Sequence, residues 1–332
     1  MSESDRRRTG LDRRDFLTGA AAAVTAAAAG GALAQPAAVD PIPIIDSHIH
    51  LFDGTRPVFG KGYLGSRAYA ARYNRSLPSM YAPLARAAGI VGAIVVQSSF
   101  WVDENLWYLE QCRASPIMVG VCGTLDPAAA DFGRYVEHFH NDPLFRAIRV
   151  WHFYESDGGT VRLVPGQVAS LKLLAQADLA LDTANPSVDL MQANVLLAEA
   201  IPGLRIVMDH LPAFDPTPAD RPAYDSLVKR MAACPNIFVK LTEAYHPRAN
   251  GVIVRDYAFL RDRLQFLYEA FGEDRVMFGS DYPNSYGVAT ISQEVSLARR
   301  FMATRTRAAA EKFLWKNSAR VYKWIKRLPQ QP

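Results

Sequence analysis

Three cysteines in 332 residues cannot hold a fold together: Cys112, Cys122 and Cys234 are odd in number and allow at most one bridge. Cys122 lies in the apolar run "IMVGVCG" and reads as a buried small residue rather than a nucleophile. Charge of one sign is also scarce. The formal net charge is +4, and lysines and arginines alternate with aspartates and glutamates instead of forming blocks, so a nucleic-acid partner is not indicated. There is no G-x-S-x-G nucleophile elbow and no Walker loop, which sets aside a serine esterase and a nucleotide-dependent enzyme. No internal repeat is evident, and no Pro- or Ser-rich linker divides the chain after its first thirty-odd residues. A hydrophobic content of 49% with 21% charged residues suits a globular protein able to bury a large core.

What is present begins with an export signal. "DRRDFL" at 12–17 pairs Arg13 with Arg14 ahead of Phe16 and Leu17, and the weakly apolar "TGAAAAVTAAAAGGALA" follows. It resembles the twin-arginine type, whose core is less apolar than that of an ordinary secretory signal. Ala32-Leu33-Ala34 before Gln35 reads as a cleavage site, although left uncleaved the segment would serve as a weak anchor. Residues 1–34 are therefore expected to engage the twin-arginine export machinery. Residues 35–332 are expected to form the mature domain, in the bacterial periplasm and without stable membrane association after cleavage.

Beyond the signal, short apolar runs bounded by turn residues alternate with longer helical stretches. The runs are "IPIID" from 42, "VGAIVV" from 91, "IMVGVCG" from 117, "AIRVW" from 147, "LALDT" from 179, "LRIVMD" from 204, "NIFVKL" from 236 and "RVMFGSD" from 275. Several are near-continuous in Ile and Val, as strands covered on both faces are, and each interval leaves room for a crossover helix. Eight such units predict an α/β fold, a single-domain (β/α)8 TIM barrel. The long connection at 51–90 is expected to help cover the site.

Active sites of such barrels lie at the carboxyl ends of the strands, so polar residues ending an apolar run are the candidates. In order these are Asp46, His48 and His50; Gln97 and Ser98; Asp126; Arg149 and His152; Asp182 and Asn185; Asp209 and His210; Lys240 and Glu243; and Asp281. Period-two alternation predicts that Asp46, His48 and His50 share one face. His138 and His140, two apart on a predicted helix, read as solvated surface. Lys240 reads as a structural ion-pair partner of Glu243 or a neighbour.

Five of these segments together, "DSHIHLFD", "VVQSSFWVDEN", "MDHLP", "VKLTEAY" and "MFGSDYP", resemble the amidohydrolase-related family, in the branch of 2-pyrone-4,6-dicarboxylate hydrolase and fuconolactonase. The resemblance runs from about residue 42 to the end. It implies that Asp281 is the base that takes a proton from the attacking water. It also implies that His48, His50 and His210 polarise a carbonyl or stabilise the oxyanion formed when water adds. Asp46 is expected to orient a loop or a histidine.

His48, His50 and Asp281 could also hold a catalytic zinc ion. Metal-using relatives add a strand-five histidine, whereas "LDTANP" places Asn185 there, so the expectation is a site with no required cofactor or one weakly occupied by a divalent ion. Asp182 stays open as a substitute ligand. For the small-molecule substrate, Arg149 offers a fork for a carboxylate, or else holds an acidic residue in the mouth. Gln97, Ser98, Tyr245, His246 and Arg248 are the other candidate contacts, the last three from "AYHPR". The expected activity is hydrolysis at a carbonyl centre, opening a small lactone or cyclic ester, with or without a carboxylate. The alternatives are a metal-dependent decarboxylase of the same superfamily and a catalytically silent barrel that binds a metabolite.

Overall fold

In the computed structural model the described residues are 41–56, 67–70, 72–184, 187–210, 219–245 and 251–332. Each of the eight apolar runs becomes a strand: β1 Ile44–His50, β2 Ile90–Val96, β3 Met118–Gly123, β4 Phe145–Val150, β5 Ala180–Thr183, β6 Ile206–Met208, β7 Ile237–Leu241 and β8 Val276–Phe278. They follow one another in chain order in one sheet, and every neighbouring pair is parallel. The sheet curls until its ends meet. Asp281 N donates to His48 O at 2.9 Å and His50 N donates to Tyr282 O at 2.7 Å, so the chain just past β8 pairs with β1. The fold is the expected (β/α)8 barrel, and Pro41–Pro332 is one compact unit. The proposed signal and its cleavage site lie outside the described residues.

The barrel is a packed interior. Ile45, Ile94, Val119, Ala147, Ala180, Val207, Phe238 and Met277, one from each strand, fill its lower half together with Val321, Tyr322 and Trp324 of the C-terminal segment. Small Ala147 and Ala180 share this cluster with the larger Phe238 and Met277. Two residues further along a strand the side chain points the same way again. Arg149, Asp182, Asp209 and Lys240 are those next positions on β4 to β7, so a charged layer is stacked on the apolar one. All four are buried.

Each strand is followed by a helix that covers the outside. Ile291–Met302 shows how one is specified: Thr290 and Gln293 cap its first turn reciprocally, and Ile291, Val295, Ala298, Phe301 and Met302 are buried. Two short antiparallel pairs do not correspond to any of the eight runs. Tyr154–Asp157 pairs with Thr160–Leu163 around Gly158 and Gly159, whose φ values of 56° and 81° suit glycine in a hairpin turn. Phe52–Asp53 pairs with Arg75–Ser76 inside the long 51–90 connection. That connection also places the Tyr69 hydroxyl 3.3 Å from that of Tyr282, beside Asp281. The three cysteines are free and buried, and Cys122 is in the barrel interior as expected.

Candidate active site

The strand-one motif does not present three side chains on one face. Between Asp46 and Ile49, β1 advances three residues while β2 advances two, from Ala93 to Val95. This bulge shifts the alternation, so Ile45 and then His48 and His50 point inward while Asp46 points out. Asp46 accepts hydrogen bonds from Ser280 N at 2.8 Å, Ser280 Oγ at 2.6 Å and the Tyr81 hydroxyl at 2.8 Å. Its carboxylate thereby clamps β1 to the exit of β8. Burial pushes its carboxyl up to about 6 against those donors. The shared face expected of Asp46 is corrected to an outward one; its expected orienting role fits these bonds.

His48, His50 and Asp281 converge in the mouth. His48 Nε2 and His50 Nε2 are 3.1 Å apart, and Asp281 Oδ1 lies 3.4 and 3.3 Å from them. His50 Nδ1 is 3.0 Å from Val96 O, which can only accept, so the proton of a neutral His50 is on Nδ1 and its Nε2 carries a lone pair. Burial lowers the His48 pKa well below its usual value and that of His50 to about 3, Arg149 adding to the latter, so both rings are neutral. His48 Nδ1 sits between Lys240 Nζ at 3.3 Å and Asp209 Oδ1 at 3.4 Å. Two proton arrangements satisfy these contacts. In one, Lys240 donates to His48, whose Nε2 proton goes to His50. In the other, His48 donates to Asp209 and both Nε2 lone pairs face Asp281.

Burial pushes the Asp281 carboxyl up to about 7 against the pull of the Glu243 and Asn284 side chains. Three acceptors this close repel unless a proton or cation lies among them. Ligands 2.0–2.1 Å from a tetrahedral ion lie about 3.3–3.4 Å from one another, close to the separations here. His210 joins them, with one ligand atom each from His48, His210 and Asp281 within 4.8 Å of one another. Thr242 Oγ1 at 2.7 Å holds His210 Nδ1, with Glu243 Oε2 at 3.7 Å. The donor set fits a divalent cation. Asp182 does not belong to it, because its oxygens take bonds from Lys240 and from the Tyr322 hydroxyl at 2.9 and 2.8 Å.

Backbone geometry turns these side chains inward. His210, Glu243 and Asp281, just past β6, β7 and β8, have φ of 70°, 53° and 53°. Non-glycine residues in this left-handed region are held at a cost of about 1–3 kcal/mol each, which surrounding structure must offset. Gly279 has a different task. A Cβ there would lie 2.7 Å from Thr242 Cγ2 and 2.9 Å from His48 Cβ, so only glycine lets β8 pass between them.

Under the mouth lies a closed ion cluster. Lys240 Nζ is 2.6 Å from Asp182 Oδ2 and 2.9 Å from Asp209 Oδ1, all fully buried. Lys240 therefore pairs with neighbours and not with Glu243, which accepts from Asn284 at 3.1 Å. Burial alone would raise the Asp209 pKa, but Lys240, His48 and Arg149 hold it well below the usual carboxylate value. Asp182 stays raised by burial against the pull of Lys240.

The expected substrate contacts are distributed unevenly. Arg149 Nη2 donates to Gln97 O at 2.8 Å and Nη1 lies 3.4 Å from Asp209 Oδ2, so it holds an acidic residue, the second of its two expected roles. Ser98 is tied into the scaffold through Leu51 O and the Tyr108 hydroxyl. Tyr245 is half-buried, with the Arg255 guanidinium 5.7 Å from its ring centre. His246, Arg248 and Asn185 lie outside the described residues. Asp126, His138 and His152 are exposed and His140 is half-exposed on its helix. Sequence reasoning assigned no role to Tyr81, Thr242, Gly279, Ser280 or Tyr322. Thr242 had a signal, the position two beyond Lys240; Tyr322, near the far end of the chain, had none.

With this geometry in view, comparison with known proteins is informative. The family model described as amidohydrolase matches residues 45–324. The L-fucono-1,5-lactonase of Burkholderia ambifaria is 28% identical over 246 residues, covering 73% of this chain and 80% of that protein. The L-fucono-1,5-lactonase of Burkholderia multivorans is 26% identical over 295 residues, covering 83% of this chain and 94% of that protein. The crystal structure of a Burkholderia multivorans amidohydrolase with bound zinc has a TM-score of 0.72 at 21% identity, over 85% of this chain and all of that one. At that identity the likeness is one of fold.

Removing one partner of the ion cluster leaves buried charges uncompensated. Lys240→Met is expected to lower stability by about 3–5 kcal/mol. Urea unfolding followed by circular dichroism reads this directly; a midpoint equal to that of wild type would mean that the cluster is not ionised.

Proposed function

The chain belongs to the amidohydrolase family, and on that premise we propose that it opens a small lactone or cyclic ester by adding water to the carbonyl carbon. One observation carries this reading: a fully buried carboxylate at the exit of β8, Asp281, with His48, His50 and His210 around it. In this proposal Asp281 takes the proton of the attacking water. A carboxyl pushed up to about 7 is better matched to that step near neutral pH than an ordinary one. His48, His50 and His210 surround the carbonyl oxygen. With the His50 Nδ1 proton held by Val96 O, donation to that oxygen comes mainly from His210, whose Nδ1 is braced by Thr242. The kinship to two L-fucono-1,5-lactonases supports a lactone as the substrate.

Asp281→Asn is expected to keep the fold and lower kcat/KM on L-fucono-1,5-lactone by about 10²–10⁴. A pH-indicator assay, with circular dichroism as a folding control, measures it. Turnover by the variant equal to wild type would remove Asp281 from the base role. Absence of lactone opening by wild type, with carbon dioxide released from an aromatic acid, would replace the hydrolase by a decarboxylase. Binding with no turnover of either kind would indicate a silent barrel.

His48, His50, His210 and Asp281 are also the residues that would hold a divalent ion. When bound, such an ion supplies Lewis-acid polarisation of the carbonyl. Mass spectrometry of protein equilibrated with zinc and desalted is expected to find about one ion per chain. The His48→Ala, His50→Ala double variant should retain none, and equal retention would place the ion elsewhere.

The proposal includes residues 1–34 as a twin-arginine signal that delivers the domain from Gln35 onward to the periplasm through the export machinery. Among the described residues no helix is long and apolar enough to cross a membrane. Amino-terminal sequencing of periplasmic protein should read Gln35 first; an intact Met1 would overturn cleavage.

A further inference from the structure

Two buried donors in the mouth are unmatched. Gln97 Nε2 and Arg149 Nε have no hydrogen-bond partner among the described residues, although the two residues are only 2% and 7% exposed. A buried N–H without an acceptor costs about 1–3 kcal/mol, which an arriving acceptor would relieve. Exchanging the amide atoms of Gln97 does not remove the mismatch. Gln97 Oε1 is 3.4 Å from Arg149 Nη2, and a nitrogen in its place would set donor against donor.

The surroundings say what kind of acceptor fits. Both terminal nitrogens of Arg149 are already engaged, Nη2 with Gln97 O and Nη1 with Asp209, and the Asp209 carboxylate offsets the guanidinium charge. A carboxylate is read best by two parallel donors of one uncommitted guanidinium, and that is not offered here. Trp151 lies 4.8 Å from the Arg149 guanidinium, and Phe100 packs against Trp151 with ring centres 5.0 Å apart and planes tilted by 56°. Phe100 is 72% exposed and its neighbour Trp101 is 51% exposed, although neither belongs to the core. Large exposed aromatic rings beside a few placed polar groups are the composition of a small-molecule pocket wall.

We propose that Gln97 Nε2, Arg149 Nε and the Trp151–Phe100 aromatic pair form a substrate subsite that selects an uncharged, hydroxylated ring over a carboxylated one. The donors take hydroxyl or ring oxygens, and the apolar face of the ring lies on the aromatics. The subsite rests on the lactone reading above and narrows its substrate class, which the sequence left open between neutral and carboxylated lactones.

The test uses two rings that cannot be hydrolysed, L-fucono-1,5-lactam and the same lactam with its C6 methyl oxidised to a carboxylate, titrated against tryptophan fluorescence of the wild-type protein. The neutral lactam should bind at least about tenfold more tightly. Gln97→Leu should weaken the neutral lactam by about tenfold, the worth of one hydrogen bond of about 1.4 kcal/mol. It should leave the carboxylated ring within about twofold. Equal or tighter binding of the carboxylated lactam by wild type overturns the proposal, and that comparison needs no variant to fold. Failure of the neutral lactam to bind overturns it as well, as does a Gln97→Leu protein that binds the neutral lactam like wild type. Hydrolysis of L-fucono-1,5-lactone is read separately. A protein that binds the neutral lactam but opens no lactone keeps the subsite and loses the hydrolase reading. One that opens lactones but favours carboxylated rings loses the subsite alone.

Discussion

An ammonium group placed in the middle of a barrel has to be neutralised where it lies, and the site is arranged around that constraint. Lys240 is fully buried on β7, with carboxylates of β5 and β6 at 2.6 and 2.9 Å. An isolated buried charge would cost far more than the fold could sustain, so these acids cannot be independent of the lysine. Asp209 then has one oxygen on Lys240 and His48 and the other on Arg149. Tyr322, from the last helix, closes the cluster from below through Asp182. One buried cation thus connects the floor of the barrel, the tautomer of a mouth histidine and the arginine beside it.

Above this layer the problem reverses, because acceptors gather where donors are missing. His50 is committed to a carbonyl through Nδ1, and Asp281 brings a carboxylate against two imidazole nitrogens. The arrangement is stable only with a proton or a cation among those atoms. Strained backbone at His210, Glu243 and Asp281 and the bulge in β1 hold the groups in place. The surrounding barrel can offset that strain because its strands are packed on both faces.

Much of this was legible in the chain. The eight strands followed from near-continuous apolar runs at intervals long enough for a helix. The candidate site followed from the rule that barrel chemistry sits where such runs end. His48, His50, His210 and Asp281 were found on that basis and do come together. The two short antiparallel pairs are not legible in the chain for a local reason: strands of two to four residues are too short to show a period, although the Gly158–Gly159 pair marks one turn.

The sequence by itself determined the barrel, its strand order and the set of polar residues at its mouth, because alternation and apolar runs are local properties of the chain. Tertiary structure alone decided which way each group faces and what it binds. A bulge depends on register with a neighbouring strand, so nothing within "DSHIH" announces that Asp46 turns outward. Lys240 meets Asp182, 58 residues away, and Tyr322 reaches Asp182 across 140. Such pairings are set by distance across a closed barrel, and Coulomb energy and hydrogen bonding depend on separation in space, which a linear order of residues does not record.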